Sequence, residues 1–134
     1  QSAGLQNNME NIKWIDEEIA LMFHKLSIRN YGGLDSVRDL GLLQSALARP
    51  QNIAAYGAAD VCLLAAAYGF GIARNHPFLD GNKRTAFLCA TAFMKKHGLK
   101  FTATQAEASA AFLELAAGNL SEEGLAAWLR GNSE

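Results

Sequence analysis

At 134 residues, half of them hydrophobic and 19% charged, the chain has the length of one ordinary domain and is too apolar to remain disordered. Twelve Lys and Arg against thirteen Asp and Glu leave a net charge of -1. This excludes the broad basic field that draws a protein to nucleic acid or to an anionic membrane, so any phosphate site must be local. The longest apolar stretch, Val61 to Ala73, has 13 residues, short of the ~18 that read as a bilayer span.

Residues 1–8 are polar and non-periodic, in the manner of an expression-tag remnant, and Met9 reads as a native start; residues 9–134 are expected to form a single domain. Ile15, Ile19, Met22, Phe23 and Leu26 recur at helical spacing behind Asp16, an N-cap type, and Gly32-Gly33 follow as stop signals. His24 lies beside that stripe, reads as a packed or half-exposed histidine, and is assigned no chemistry. A second short helix is expected from Asp39 to about Ala48, with Leu40, Leu43 and Leu47 on one face, ended by Arg49-Pro50. After a loop through Gly57, the stretch from Asp60 to Ala73 is apolar on every face and belongs at the centre of a bundle. A loop carrying Arg74, Asn75 and His76 leads to a second core helix, Asn82 to His97, whose Lys95, Lys96 and His97 before Gly98 suit a helix C-terminus.

Leu99 to Thr102 reads as extended. Thr104 and Glu107 then form a capping box ahead of Ala108 to Ala117, with Gly118 as the stop. Ser121 caps the last helix, Leu120 and Leu125 hold staple positions, and Trp128 is expected as its core anchor. The prediction is an all-α domain of six helices. Cys62 and Cys89 sit in apolar runs without metal-ligand spacing, which predicts buried free thiols in a reducing cytoplasm.

Chemistry concentrates between the two most apolar helices, where Arg74 to Arg84 holds His, Asp, Asn, Lys and two Arg. Pro77 biases His76 away from helix, and Asp80-Gly81-Asn82 is turn chemistry that delivers the chain into the next helix. A helix N-terminus favours an anion, yet Lys83 and Arg84 in a first turn oppose the helix dipole; an anion shared between them resolves the conflict, and phosphate is the natural one. Asp80 is suited to a magnesium ion bridging phosphates. His76 is the residue of this stretch that accepts a proton near neutral pH without special tuning. Together the set fits nucleotide-dependent group transfer to a hydroxyl.

His76-Pro77-Phe78-Leu79-Asp80-Gly81-Asn82-Lys83-Arg84-Thr85-Ala86 resembles the signature of the death-on-curing (Doc) toxins, a branch of the Fic superfamily whose loop reads H-x-F-x-D-[GA]-N-K-R. Tyr31-Gly32-Gly33, Arg38 to Leu43 and Ser45 to Gln51 resemble that family's N-terminal half. The resemblance implies a compact six-helix fold, with ATP as co-substrate and Mg²⁺ held by Asp80. It makes His76 the general base; Asp80 and Arg84 complete the catalytic set, Gly81, Asn82, Lys83 and Arg84 bind phosphate, and Phe78 anchors the loop. Arg74, two residues before the histidine, is added as a supporting phosphate or acidic-group contact. The family's adenylyl-transferring members carry H-x-F-x-[DE]-G-N-G-R-x-x-R, from which Lys83 and Phe87 depart.

Those departures imply that ATP binds reversed and presents its γ-phosphate. The resemblance further implies a toxin of a toxin–antitoxin system that phosphorylates a threonine of elongation factor Tu and blocks translation. Its antitoxin would carry a C-terminal segment that folds on binding; neither nucleic acid nor membrane is an expected partner. Two alternatives stand beside this: a nucleotidyl transferase modifying a protein hydroxyl, and a catalytically silent domain that only binds its antitoxin.

Overall fold

The computed structural model describes residues 11–134, so the tag-like residues 1–8 and Met9 lie outside it. Six helices run through the described residues: α1 Glu17–Tyr31, α2 Leu40–Tyr56, α3 Val61–Asn75, α4 Asn82–Lys96, α5 Gln105–Ala117 and α6 Glu122–Gly131. Five start on a side-chain oxygen that accepts a backbone N–H of the first turn: Asp16 from Ile19, Asp39 from Leu42, Asp60 from Leu63, Thr104 from Glu107 and Ser121 from Gly124. The Thr104/Glu107 capping box is closed in both directions, and Gly118 ends α5 in the left-handed region. The expected extended segment is a single antiparallel bridge, Phe101 against Ser133, flanked by paired Lys100 and Glu134 backbones. Among the described residues no helix is long and apolar enough to cross a membrane.

Two expectations need correction. Pro50 does not end α2, which continues to Tyr56. Leu43, Ala46, Leu47, Pro50 and Ala54 are buried on one continuous stripe, and that burial outweighs the lost N–H and ring clash, ~3 kcal/mol, of an interior proline. The second concerns α6, whose buried face is Leu125, Ala126 and Leu129. Trp128 falls off that face and is only partly buried, against Phe101 at 5.6 Å between ring centroids.

α3 runs through the middle, packed on α2, α4, α5 and α6. Leu64, Tyr68 and Ile72 are fully buried there, and the Tyr68 hydroxyl satisfies its polar tip on the Ile15 backbone, accepting from the N–H at 2.8 Å. Gly71 lets α2 come close: a Cβ at that position would stand 3.0 Å from the Ala46 Cβ and 3.1 Å from its Cα. Two partly exposed ion pairs tie the helices together. Glu122 at the start of α6 takes both Nε and Nη2 of Arg49 from α2, at 2.6 and 2.8 Å. Arg130 near the end of α6 grips Asp60, the α3 cap, at 2.6 and 3.1 Å.

Candidate active site

α3 ends where the chemistry starts. Arg74 and Asn75 complete its last turn instead of lying in a loop, and His76 is the C-cap at φ 51°, ψ 57°. It is the one non-glycine residue with positive φ among those described. Pro77 disfavours the right-handed helical region at His76, and the chain turns left-handed, a conformation histidine adopts more readily than most residues. Arg38 from the α1–α2 connection fixes that turn, its Nε donating to the His76 carbonyl at 2.7 Å and its Nη2 to that of Asn75 at 2.9 Å. A cation on the last carbonyls is where the helix dipole favours one.

The connection also lies alongside the loop as a short ladder. Arg38 and Asp39 donate their N–H groups to the Pro77 carbonyl, Leu79 donates to that of Ser36, and Val37 bridges Phe78. Phe78 is 1% exposed, which makes it the buried anchor of the loop. Asn82, 7% exposed, clamps the same residue: its Oδ1 accepts the Phe78 N–H at 3.0 Å and its Nδ2 donates to the Phe78 carbonyl at 2.9 Å. With its carboxamide oxygen and one Nδ2 hydrogen committed to Phe78, Asn82 can offer an anion its backbone N–H and the second Nδ2 hydrogen. Its Nδ2 lies 3.5 Å from Nδ1 of the exposed His76 ring, too far to set the tautomer.

Asp80 is held from two sides. Leu34 donates its N–H to Oδ2 at 2.8 Å, and the ring of His24 donates from Nε2 to the Asp80 carbonyl at 2.8 Å. The chain must pass close at Gly33, where φ is +115° and a Cβ would stand 3.0 Å from that of Asp80. No cluster of three acidic, His or Cys ligands occurs among the described residues, so a cation would find no cage made of protein alone.

Gly81 starts α4 with φ 83° and supplies no side-chain cap. No first-turn N–H of α4 therefore meets a capping side chain, whereas each of the other five helices has one that does. Lys83 and Arg84 are exposed beside them, and neither pairs with a carboxylate among the described residues. Arg84 stacks on the ring of Tyr31 at 3.8 Å, and Gln105 from α5 donates to the Tyr31 hydroxyl at 3.1 Å. Beyond the two cations opens a cavity of about 350 Å³ walled by Phe87, Phe112 and Leu113. Phe87 meets Phe101 and Phe112 edge-on at 5.4 and 5.6 Å.

The fold thus gathers His76, Phe78, Asp80, Gly81, Asn82, Lys83 and Arg84 at one end of the α3/α4 pair. Arg74 is set apart: its guanidinium lies 5.3 Å from the Phe70 ring centroid, facing back along α3 and not into the loop. In the sequence, Tyr31 and Arg38 served the resemblance alone and were given no role at the site; Leu34 and the cavity were not singled out, and His24 was given no part. Of these, His24 alone carried a signal, a histidine set beside the apolar stripe of α1.

The model described as the Fic/DOC family matches residues 14–94. The chain belongs to the Fic/DOC family. It is 39% identical over 94 residues to Toxin Doc of Mycolicibacterium smegmatis (strain ATCC 700084 / mc(2)155), covering 68% of this chain and 69% of that protein. To Protein kinase doc of Escherichia phage P1 it is 33% identical over 90 residues, covering 66% of this chain and 71% of the relative. The Fic/DOC match spans α1 to α4 almost whole, and so takes in the loop together with every residue that buttresses it.

Proposed function

We propose that this chain is the toxin of a toxin–antitoxin pair and a protein kinase, moving the γ-phosphate of ATP to a hydroxyl of a protein substrate. The observation that carries the reading is the uncapped start of α4, flanked by two exposed, unpaired cations and lying between His76 and an aromatic cavity. Open N–H groups and the dipole suit phosphate there, and the cavity beyond suits a flat base. In the reaction, His76 takes the proton of the acceptor hydroxyl as its oxygen forms a bond to the γ-phosphorus. The bond from that phosphorus to the β,γ-bridging oxygen breaks, and ADP leaves with the electron pair. Lys83, Arg84 and the α4 amides neutralise the charge that gathers on the phosphate oxygens.

Magnesium fits the donor set. Oδ1 of Asp80 makes no hydrogen bond among the described residues while Oδ2 is tethered, and one carboxylate completed by phosphate oxygens and water is the usual protein share of a Mg²⁺ site. When bound, the ion would supply charge neutralisation between phosphates. Phosphoryl transfer is favoured over AMP transfer by Phe87, which stands in the hydrophobic wall where adenylyl-transferring relatives carry a second arginine. The names of the two relatives support the toxin and kinase assignments, and by analogy the substrate is a threonine of elongation factor Tu, whose modification stops translation in the cytoplasm.

An antitoxin segment that folds on binding has a surface to cover. Met22 and Leu26 lie one turn apart on α1, and Leu34, Val37 and Leu79 surround the loop; all five are exposed. Apolar residues at helical spacing on the partner would match them. The test of the whole reading is incubation with elongation factor Tu, Mg²⁺ and ATP labelled at either the α or the γ position, with mass analysis of the product. Label from the γ position and a mass gain of one phosphate are expected. Label from the α position would establish nucleotidyl transfer, and an unmodified factor would remove the proposed substrate.

A further inference from the structure

His24 is 1% exposed on the inner face of α1, far in sequence from the loop and yet built into it. Its ring lies flat on Phe78, with centroids 3.8 Å apart and planes within 6°. Stacking alone does not require an imidazole, since a phenylalanine would fill the same volume. What the imidazole adds is one donor, and Nε2 spends it on the backbone carbonyl of Asp80 at 2.8 Å. The other nitrogen, Nδ1, faces Oδ1 of Asp35 at 3.6 Å, a carboxylate that also takes Lys25 at 3.4 Å.

We infer that His24 is a positioning residue for Asp80, holding its main chain so that the free carboxylate oxygen points to where the magnesium and phosphates of the nucleotide bind. The inference rests on the kinase reading above only for the identity of that ligand. Asp80 has two tethers, and they act on different atoms. Leu34 restrains Oδ2 from the α1–α2 connection, whereas His24 restrains the carbonyl from α1. With both in place, Oδ1 is the oxygen left over, and its direction is set.

Close packing removes the slack around that carbonyl. A Cβ on Gly81 would lie 3.3 Å from Ile28 Cδ1 and 3.4 Å from His24 Cδ2, so the residue that follows Asp80 is pressed against the same face of α1. Loss of the His24 donor leaves the Asp80 carbonyl without its partner and frees the turn to rotate. Outer partners of this kind change metal affinity by ~10- to 100-fold.

The test uses His24→Phe, which keeps the stack and deletes the donor, and His24→Gln, which keeps a donor without the ring. Calorimetry with the β,γ-imido analogue of ATP, with and without Mg²⁺, gives for each protein the factor by which the metal tightens nucleotide binding. Wild type is expected to show a clear gain. In His24→Phe that gain should fall ~10-fold or more while metal-free affinity is unchanged, and in His24→Gln it should be largely restored. A role confined to packing would instead weaken both forms of the nucleotide together. If His24→Phe does not fold, His24→Ala is judged by the same ratio.

An undiminished gain in the folded donorless variant overturns the inference and leaves the kinase reading intact. No gain in wild type overturns both the metal role of Asp80 and this one. Failure of wild type to move label from the γ position would overturn the kinase reading alone, because the ratio is measured without turnover.

Discussion

Asn82 and His76 flank the loop and differ in what their removal does to stability. Asn82→Ala leaves the N–H and the carbonyl of buried Phe78 without the partners they have at 3.0 and 2.9 Å. An abandoned buried polar group costs ~1–3 kcal/mol, so a lowered denaturant midpoint is expected, with transfer falling because the loop loses its clamp. His76 is exposed, and its side chain holds nothing in place within hydrogen-bonding range shorter than 3.5 Å. His76→Ala should therefore lower the midpoint only by the strain of an alanine at positive φ and still bind nucleotide, while transfer falls by ~10² to 10⁴, the usual worth of a general base. Equal turnover in that variant would remove the base assignment. His76, Asp80, Lys83 and Arg84 were legible because they are contiguous. His24 and Leu34 reach Asp80 across 56 and 46 residues of sequence, and no local pattern encodes which backbone carbonyl a buried imidazole will meet.

Helix ends explain both what was legible among the elements and what was not. A cap is a local device, and Asp16, Thr104 and Ser121 were readable from residues one turn away. Pro50 obeyed a local rule that tertiary burial overrode, and Trp128 was misplaced because the choice of buried face on a short helix depends on its neighbours. The cap of α3 does more than start a helix. Burial acts to raise the pKa of Asp60, but the Arg130 hydrogen bonds and the Leu63 N–H outweigh it, and the carboxyl lies below its ordinary value. A lowered folded-state pKa stabilises the protein above the unfolded carboxylate's ~3.9 and is lost as pH falls through the folded value. Asp60→Asn keeps a cap acceptor and deletes the charge. At neutral pH it should cost ~0.2–1 kcal/mol, the range for a half-exposed pair. The gap in melting temperature between it and wild type should close as pH falls below ~4; a gap that persists unchanged into acid would show that the charge contributes nothing.

At the scale of the molecule, the core closes around α3, and its cysteines report on that closure. Cys89 is 0% and Cys62 4% exposed, both are free, and burial pushes both thiols up from their ordinary range. A buried, protonated thiol is a poor nucleophile. Neither should react with a thiol reagent at neutral pH on the timescale of unfolded chain, and both should react in denaturant; prompt labelling of either in the native protein would show that the core around α3 opens more readily than its packing implies. Pattern alone placed α3 at the centre, since no polar stripe interrupts it. Its close contact with α2 at Gly71 stayed hidden, because one glycine among many small residues does not announce which backbone it faces.

The Leu34 N–H donated to the Asp80 carboxylate also makes that amide a reporter on the site. Its hydrogen can exchange with solvent only when the carboxylate has let go or the connection has swung away, whereas the amides in the middle of α3 must wait for the whole core to open. Deuterium uptake at Leu34 compared with uptake at Tyr68 would thus separate the free energy of assembling the site from the free energy of folding the chain, in a sample holding neither nucleotide nor metal. Comparable protection at the two positions would mean that the site is as durable as the fold; rapid uptake at Leu34 alone would mean that the protein spends part of its time folded and unarmed.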